Sequence, residues 1–477
     1  MPRPLASPRL TLAVLAGAAG AFSMLQSLVS PVLPTIQADL GTSRSTVTWV
    51  LTAWLMSASV ATPLLGRLGD SLGKRRTLLV ALSAVSAGSL LAALAPNIGV
   101  LVAARVVQGL GGAVFPLAFG IVRDEFPAER VAPAIGSLSA VLAGGGGLGL
   151  VLSGPIEAHL GWRWLFWIPM VSVALTAVLA GLLVPESPVR HRGRIDWRAA
   201  LLLSGWLVAL LTPVSRATVW GWSSPGVLSL FALAAVLFLC WIAVESRSAD
   251  PLVDLRMMRL PAVWTTNAVA VLFGANMFAV TAFVPQFLQT PATAGYGFGS
   301  SVTEAGLLSV PVLATMAVGG VLSGSLSVLV SPKAQLVVSA LLSTAACAAF
   351  TLLHDHPWEV ATAGGVFGLG LGLAYAAMST LIVRSVPAHR TGVATGMNAN
   401  IRNIGGAIGT AVVATLVTSD SLPGGLPRES GFTHAFILLT VTSAATVALA
   451  ALVPAVPRRG TTVARHAQPR RKSAHPH

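Results

Sequence analysis

The sequence has little charge and almost no cysteine. Only 10% of its 477 residues are charged, whereas a soluble domain has about 25%, so a chain that meets water over most of its surface is excluded. Cys240 and Cys347 both lie in apolar runs, which argues against a disulfide framework or a cysteine-based metal site. With no nucleophile triad and no phosphate-binding loop, nothing in the sequence indicates an enzyme.

Two short patterns invite a ligand, and each has a simpler explanation. The GGGGLG run at 144–149 fits a dinucleotide-binding pattern, but it lies in an apolar run with no strand before it. Small residues at that spacing instead favour tight helix crossing. The HDH run at 354–356 is expected to be a short loop. We therefore expect no metal and no bound cofactor.

No segment between the apolar runs is long enough for a separate soluble domain. The runs repeat along the whole chain, and each has the length of a membrane span. The sequence predicts an all-α polytopic membrane protein with fourteen helices, at residues 10–34, 45–66, 76–95, 99–122, 131–153, 162–184, 198–216, 225–245, 264–289, 303–322, 333–353, 358–383, 393–417 and 432–456.

The basic residues indicate how the chain is oriented. With these spans, all but six of the 30 Lys and Arg residues fall on the side of the N-terminus; Arg44, Arg163, Arg216 and Arg428 lie on the other side, and Arg105 and Arg402 lie within spans. The positive-inside rule then places both termini in the cytoplasm, in a bacterial-type inner membrane. Because the cations follow this rule, the net charge of +14 does not indicate a nucleic-acid partner.

Part of the sequence occurs twice. Residues 127–136 (PAERVAPAIG) and 387–396 (PAHRTGVATG) share the pattern P-A-x-R-x-x-x-A-x-G, and both loops fall on the same side of the membrane. The repeat predicts two six-helix bundles in the same orientation, the plan of a transporter whose central site is exposed alternately to each side. The expected units are a bundle at 1–184, an insertion carrying helices 7 and 8 at 185–262, a bundle at 263–456 and a basic tail at 457–477.

Several motifs resemble those of one family. GRLGDSLGKRR (66–76) resembles the loop motif of the major facilitator superfamily, RVVQGLGGA (105–113) resembles its fourth-helix motif, and SGP (153–155) resembles the fifth-helix motif of its antiporters. With fourteen spans, the chain resembles the drug:proton antiporters of that superfamily. The resemblance implies the major-facilitator fold and export of hydrophobic or amphipathic drugs by proton antiport with alternating access. It further implies a monomer in the lipid bilayer, with protons as the energy source.

Two other functions remain open. The family's first helix usually carries an acid, and here Gln26 stands near that place (MLQSLVSPVLP, 24–34). This departure favours a proton-independent facilitator or a symporter of a small organic solute. A non-transporting receptor is a further alternative, which the duplicated loops disfavour.

The stretch GRLGDSLGKRRT (66–77) is a candidate gate. Glycines allow two helix ends to approach closely, and an aspartate can pair with cations or with the N-terminus of a neighbouring helix. A simple basic loop that fixes topology would explain the cations but not the acid or the glycine spacing. The candidate gating residues are Gly66, Gly69, Asp70, Gly73, Lys74 and Arg75.

Four polar residues are candidates for proton coupling. Arg105 and Arg402 lie within spans, where a charge needs a partner or a wet cavity, and Gln108 lies one turn from Arg105. Arg105 could instead snorkel to the outer surface, and Arg402 could simply hold helices together. Glu157 has apolar neighbours and is the first candidate proton carrier, unless it is an exposed loop carboxylate.

The resemblance also implies a substrate cavity, because the first and fourth helices of each half line the pocket in that family. The implied cavity residues are Gln26, Phe115, Asn276, Phe278 and Tyr375, to which the polar cluster near Arg402 adds Asn398. Small residues at helical spacing predict close helix packing, and the residues assigned to it are Gly109, Gly145, Gly149, Gly154, Pro155, Gly405 and Gly409.

Overall fold

The computed structural model describes residues 8–187, 196–248, 250–327, 329–419 and 426–454. In these ranges fourteen helices are long and apolar enough to cross a membrane, so the protein is a multi-pass membrane protein and the predicted all-α fold is confirmed. They are helix 1 (Pro8–Asp39), helix 2 (Trp49–Leu72), helix 3 (Lys74–Ala93), helix 4 (Ile98–Glu125), helix 5 (Ala128–Leu160), helix 6 (Trp164–Leu183), helix 7 (Trp197–Ala217), helix 8 (Pro225–Arg247), helix 9 (Pro261–Gln289), helix 10 (Thr303–Leu326), helix 11 (Pro332–Leu352), helix 12 (Pro357–Ser385), helix 13 (Ala388–Thr418) and helix 14 (Glu429–Leu452).

Helix 5 is longer than the sequence predicts. The predicted end near residue 153 is wrong, because the helix continues through Pro155 to Leu160. A proline inside a helix removes one backbone hydrogen bond and does not always end the helix. Helix 5 ends where Gly161 adopts a φ of 87°, a left-handed conformation that glycine accepts readily.

Helix 4 changes its winding near its middle. Residues Leu110–Ala113 form a 3₁₀ segment between α-helical residues Ile98–Gly109 and Val114–Glu125. Gly111 lies in this segment, and a Cβ added to it would lie less than 3 Å from side-chain atoms of Phe22 and Val85. The segment is thus packed tightly against helices 1 and 3.

The helices share three buried apolar cores. Helices 1–6, here the N-terminal group, surround one core with Phe22, Phe119 and Phe166 among its members. Helices 9–14, the C-terminal group, surround a second core that contains Phe287 and Phe432. Helices 7 and 8 form a third core together with residues of helices 9, 12 and 13.

The two groups touch through glycines. A Cβ added to Gly66 of helix 2 would lie 2.7 Å from the carbonyl oxygen of Gly392 in helix 13, and one added to Gly136 of helix 5 would lie 2.7 Å from that of Gly320 in helix 10. Because small residues let helix backbones approach closely, these two crossings bring the groups together with little side-chain material between them.

Candidate functional site

Asp70 connects the two groups at one end of the bundle, which we call the latch end. It lies in the last turn of helix 2, and its side chain is completely buried. The backbone N–H groups of Gly392 and Val393, at the start of helix 13, donate to its two carboxylate oxygens at 3.3 and 3.1 Å. The free N–H groups at a helix start carry partial positive charge and favour an anion. An acid of the N-terminal group is therefore held by a helix of the C-terminal group.

Lys74 and Asp124 support this contact from within the N-terminal group. The Lys74 Nζ lies 2.5 Å from Asp124 Oδ2 and 3.7 Å from Asp70 Oδ1, and all three side chains are buried. The Ser187 hydroxyl also donates to Asp124. A buried cation between two buried acids offsets part of the cost of removing them from water. Asp124 lies near the end of helix 4 and belongs to none of the recognised motifs, so the sequence alone did not mark it as a candidate.

Arg123 makes a second connection between the groups. Its Nη1 donates to the Thr391 hydroxyl at 2.7 Å and its Nη2 to the Val386 carbonyl oxygen at 2.6 Å. Both acceptors lie where helix 12 ends and helix 13 begins. The latch end is therefore closed by a carboxylate and a guanidinium that come from different helices. Nothing local in the sequence distinguished Arg123 from the other basic residues at helix ends.

The remaining candidate gate residues lie around Asp70 but serve the N-terminal group. A Cβ added to Gly69 would collide with the Leu117 side chain, and Gly73 has a φ of 118° at the turn between helices 2 and 3. The Arg75 guanidinium donates to the Gly181 carbonyl oxygen of helix 6. Arg75 therefore contacts its own group, because adjacent residues of a helix face different directions and Arg75 points away from the side that Lys74 occupies. Its part in the gate stays a prediction.

Arg105 is completely buried inside the N-terminal group, so it does not snorkel. Its Nε donates to the Val50 carbonyl oxygen at 2.9 Å and its Nη1 to Gln108 Oε1 at 2.8 Å, and Gln108 in turn donates to the Ser89 hydroxyl at 2.9 Å. The guanidinium also lies 5.5 Å from the Trp54 ring centre, a cation–π arrangement. Among the described residues no carboxylate pairs with Arg105, and its Nη2 has no hydrogen-bond partner.

A cavity of about 20 Å³ lies between the two groups, with room for about one water molecule. Arg402 donates to the Tyr375 hydroxyl and lies 4.1 Å from the centre of that ring. Asn398 donates to Asn267 of helix 9 at 2.9 Å. None of the residues that line the cavity has a carboxylate. The lining consists of Phe115, Pro116 and Phe119 of helix 4, Tyr375 and Ser379 of helix 12, and Thr395, Asn398, Ala399 and Arg402 of helix 13.

Three residues assigned to the cavity do not line it. Asn276 faces a separate cavity inside the C-terminal group, where the Ser443 hydroxyl donates to it at 3.1 Å. Phe278 packs on Gly406 of helix 13, and Gln26 is half-buried on helix 1. These assignments are corrected for one reason: the choice of helix does not fix which face of that helix meets the cavity, and each residue rotates the face by about 100°.

Glu157 lies away from both the latch and the cavity. It is half-buried in the last turn of helix 5, so it is not a loop carboxylate as the alternative supposed. It is absent from the lining of the Arg402 cavity. Its role as a proton carrier stays a prediction.

Most of the predicted packing residues lie at helix crossings. Gly154 does not: a Cβ added there would meet no atom within 4 Å, and Pro155 beside it is exposed, so the assignment of these two residues to helix packing is wrong. Both lie on the outward side of the lengthened helix 5. An added Cβ would approach another helix to within 3 Å at Gly109, Gly145, Gly149, Gly405 and Gly409.

Sequence comparisons match the chain to one protein family over most of its length. The model of the Major Facilitator Superfamily matches residues 15–410 and 268–476. The tetracenomycin C resistance and export protein of Streptomyces glaucescens is 31% identical over 458 residues, which cover 92% of this chain and 81% of that protein. The puromycin resistance protein pur8 of Streptomyces alboniger is 31% identical over 82% of this chain and 78% of its own length. Multidrug resistance protein 3 of Bacillus subtilis is 26% identical over 83% and 77%.

Solved structures share the fold. The human organic anion transporter MFSD10 superposes with a TM-score of 0.67 at 17% identity and covers 94% of this chain and all of its own. The proton:xylose symporter XylE has the same TM-score at 13% identity, covering 94% of this chain and 96% of that chain.

Proposed function

The chain belongs to the major facilitator superfamily, and from this we propose that it is a secondary active transporter that exports amphipathic drugs or antibiotics. Relatives of about 30% identity that align over most of its length carry names of resistance and export proteins. The apolar and aromatic wall of the central cavity, with Phe115, Phe119 and Tyr375, suits an amphipathic guest. The proposal makes the chain a transporter rather than an enzyme.

Alternating access is the proposed mechanism, and the observation that carries it is the buried Asp70 contact on the start of helix 13. That contact seals the seam between the groups at one end, with the cavity lying deeper in the same seam. A drug-sized ligand needs a pocket of about 300–1,000 Å³, so the groups have to separate before the cavity can hold one. Rocking of helices 1–6 against helices 9–14 would break the latch and open the cavity.

The proposed membrane orientation is supported by the distribution of basic residues. We place the latch end and both termini in the cytoplasm of a bacterial-type cell, because the basic residues concentrate at this end. The conformation with a closed latch is then the one that denies the cytoplasm access to the cavity. We propose that the exporter acts as a monomer.

Proton antiport is proposed as the energy source. Arg105 with Gln108, Arg402 and Glu157 remain the candidate coupling residues. A buried guanidinium without a carboxylate partner is costly, so Arg105 would favour any state that brings negative charge near helix 4. Export would then be driven by the proton gradient, without a cofactor.

A proton-independent facilitator is a second candidate, and one observation favours it. The described lining of the central cavity contains a guanidinium and no carboxylate, and in helix 1 the neutral Gln26 stands near the place where the resemblance implies an acid. A neutral or anionic solute could bind beside Arg402 without the release of a proton.

Reconstituted vesicles decide between these functions. The purified protein in vesicles with a pH-sensitive dye should release protons when puromycin is added, and export should stop when an ionophore collapses the gradient. Puromycin flux that persists without a gradient would favour the facilitator, and no flux for any of a panel of antibiotics and small organic solutes would contradict both.

A further inference from the structure

The inserted helices 7 and 8 lie across the seam that Asp70 closes. We infer that this helix pair moves as part of the C-terminal group and carries a second lock, in which Glu245 and Asp250 hold Arg67 of the N-terminal group. The inference rests on the alternating-access motion proposed above. It assigns a role to a segment that has no counterpart in the repeat.

Helix 7 packs against both helix 2 and helix 13, but the buried core favours the C-terminal group as the one that carries the pair. The core of helices 7 and 8 includes fully buried residues of the C-terminal group, among them Ile382, Val393 and Ala394. Helix 2 of the N-terminal group contributes only Val60 and Leu64, which are half-buried at its edge. Close-packed interiors move as units, so the seam should part between helix 2 and helix 7 rather than between helices 7 and 13.

Polar contacts tie the pair to helix 13 at both of its ends. At the latch end, Asp254, in the segment between helices 8 and 9, accepts a hydrogen bond from the Arg390 guanidinium at the start of helix 13. Its other oxygen accepts from the backbone N–H of Arg256 at 2.9 Å, which fixes the carboxylate in place. At the far end, Trp222 Nε1 donates to the Thr415 hydroxyl of helix 13 at 2.9 Å. Toward helix 2, within the described part of the chain, the Thr212 hydroxyl lies 3.9 Å from the Met56 sulfur, and the Arg216 guanidinium of helix 7 lies 4.6 Å from the centre of the Trp49 ring.

Charge supplies the lock. Arg67, on helix 2, is 3% exposed, and among the described residues its Nη2 has no hydrogen-bond partner. Asp250, Asp70 and Glu245 lie near enough to favour its positive charge, and Arg390 opposes it. Glu245, at the end of helix 8, is 2% exposed; one of its oxygens accepts from the Val253 N–H, and the other has no hydrogen-bond partner within the described part of the chain. Two further charges act on Glu245: Asp196 disfavours its negative charge and Arg67 favours it.

The consequence is a lock that breaks when the seam opens. Two buried, opposite charges attract strongly when little water lies between them. Separation of helix 2 from helix 7 would remove Arg67 from the acids and leave Arg390 with Asp254. The second lock therefore favours the same closed latch as Asp70 does.

Cross-linking tests which boundary moves. In a Cys240→Ser/Cys347→Ser background, Met56→Cys with Thr212→Cys joins helix 2 to helix 7, and Trp222→Cys with Thr415→Cys joins the inserted pair to helix 13. A short bifunctional thiol reagent should lower puromycin export at least tenfold through the first pair, reversibly with reductant, and change it less than twofold through the second. The reverse pattern, loss with both pairs or loss with neither would overturn the inference.

Spin-label distances test the inference without a measurement of transport. An Asp70→Asn variant opens the latch, and labels at Glu129 and Ala388 report that the groups have parted. With the latch open, the 56–212 distance should lengthen and the 222–415 distance should not. This result without drug flux would contradict the proposed function alone, whereas a lengthened 222–415 distance or an unchanged 56–212 distance would overturn the inference even in an active exporter.

Substitutions of Arg67 and Glu245 test the second lock directly. Glu245→Gln should speed alkylation of a Thr395→Cys reporter from the latch end about tenfold, and Arg67→Glu should do the same. The double variant Arg67→Glu/Glu245→Arg should restore at least half of the wild-type protection, which a role in folding alone would not produce. Asp355→Asn, an exposed acid at the opposite end, is the matched control. Unchanged alkylation in Glu245→Gln would remove the lock from the inference.

Discussion

Asp70→Asn is the sharpest test of the latch, because it removes a charge and leaves the shape. The carboxylate accepts two backbone N–H groups, and hydrogen bonds to a charged group contribute about 1.5–3 kcal/mol against about 0.5–1.5 for neutral ones. The amide side chain keeps one oxygen that can accept from one of the two backbone N–H groups, but its NH₂ group then faces the other backbone N–H. An amide also costs less to bury, which offsets part of the loss. We take about 2 kcal/mol as the net effect, which is about a 30-fold fall in the ratio of closed to open latch.

The accessibility of Thr395 measures that ratio. It lines the cavity and is 5% exposed, so Thr395→Cys should react slowly with an impermeant thiol reagent in inside-out vesicles. Adding Asp70→Asn should raise the rate about 30-fold, in line with the shifted ratio, and lower export, while insertion stays intact. Glu129→Gln, an exposed acid at the same end, should change neither. An unchanged alkylation rate together with unchanged export by correctly inserted Asp70→Asn protein would refute the reasoning.

Three further predictions follow from the geometry. Gly66→Ala should hold helix 2 away from helix 13 and reduce export. Gly154→Ala, at an exposed position, should leave export unchanged and raise helix stability by about 0.5–1 kcal/mol. Equal export by both variants would contradict the importance of close packing at Gly66. Arg105→Lys should lose the Gln108 bond and with it most proton-linked export, while binding of a fluorescent drug persists; export at the wild-type rate would count against a coupling role. Glu157→Gln should abolish proton release on drug addition if Glu157 carries the proton, and full retention would remove it as a carrier.

Apolar length and repetition made the fold predictable. Each run of about 20 apolar residues can satisfy its backbone in lipid only as a helix, so the fourteen spans followed from composition. Asp70 could be identified because it is a lone acid among cations and glycines at a helix end. In that case the local pattern itself carried the chemistry.

The parts that failed depend on contacts far apart in the chain. Arg123 reaches Val386 and Thr391 because helices 4 and 13 meet at the latch end, and no local pattern marks it. Asn276 and Phe278 lie on the expected helix but on other faces of it. The position of a side chain around its helix depends on packing against neighbours, which one sequence does not reveal.

The 3₁₀ segment makes helix 4 longer than a continuous α-helix of the same residues would be. A 3₁₀ turn rises about 2.0 Å per residue with 3.0 residues per turn, against about 1.5 Å and 3.6 residues in an α-helix. If the four residues Leu110–Ala113 rewound to α, helix 4 would shorten by about 2 Å and its two parts would turn by about 80° against each other. Arg105 and Phe115 lie on opposite sides of this segment, so such a screw motion would reorient the cavity wall relative to the buried guanidinium without bending the helix.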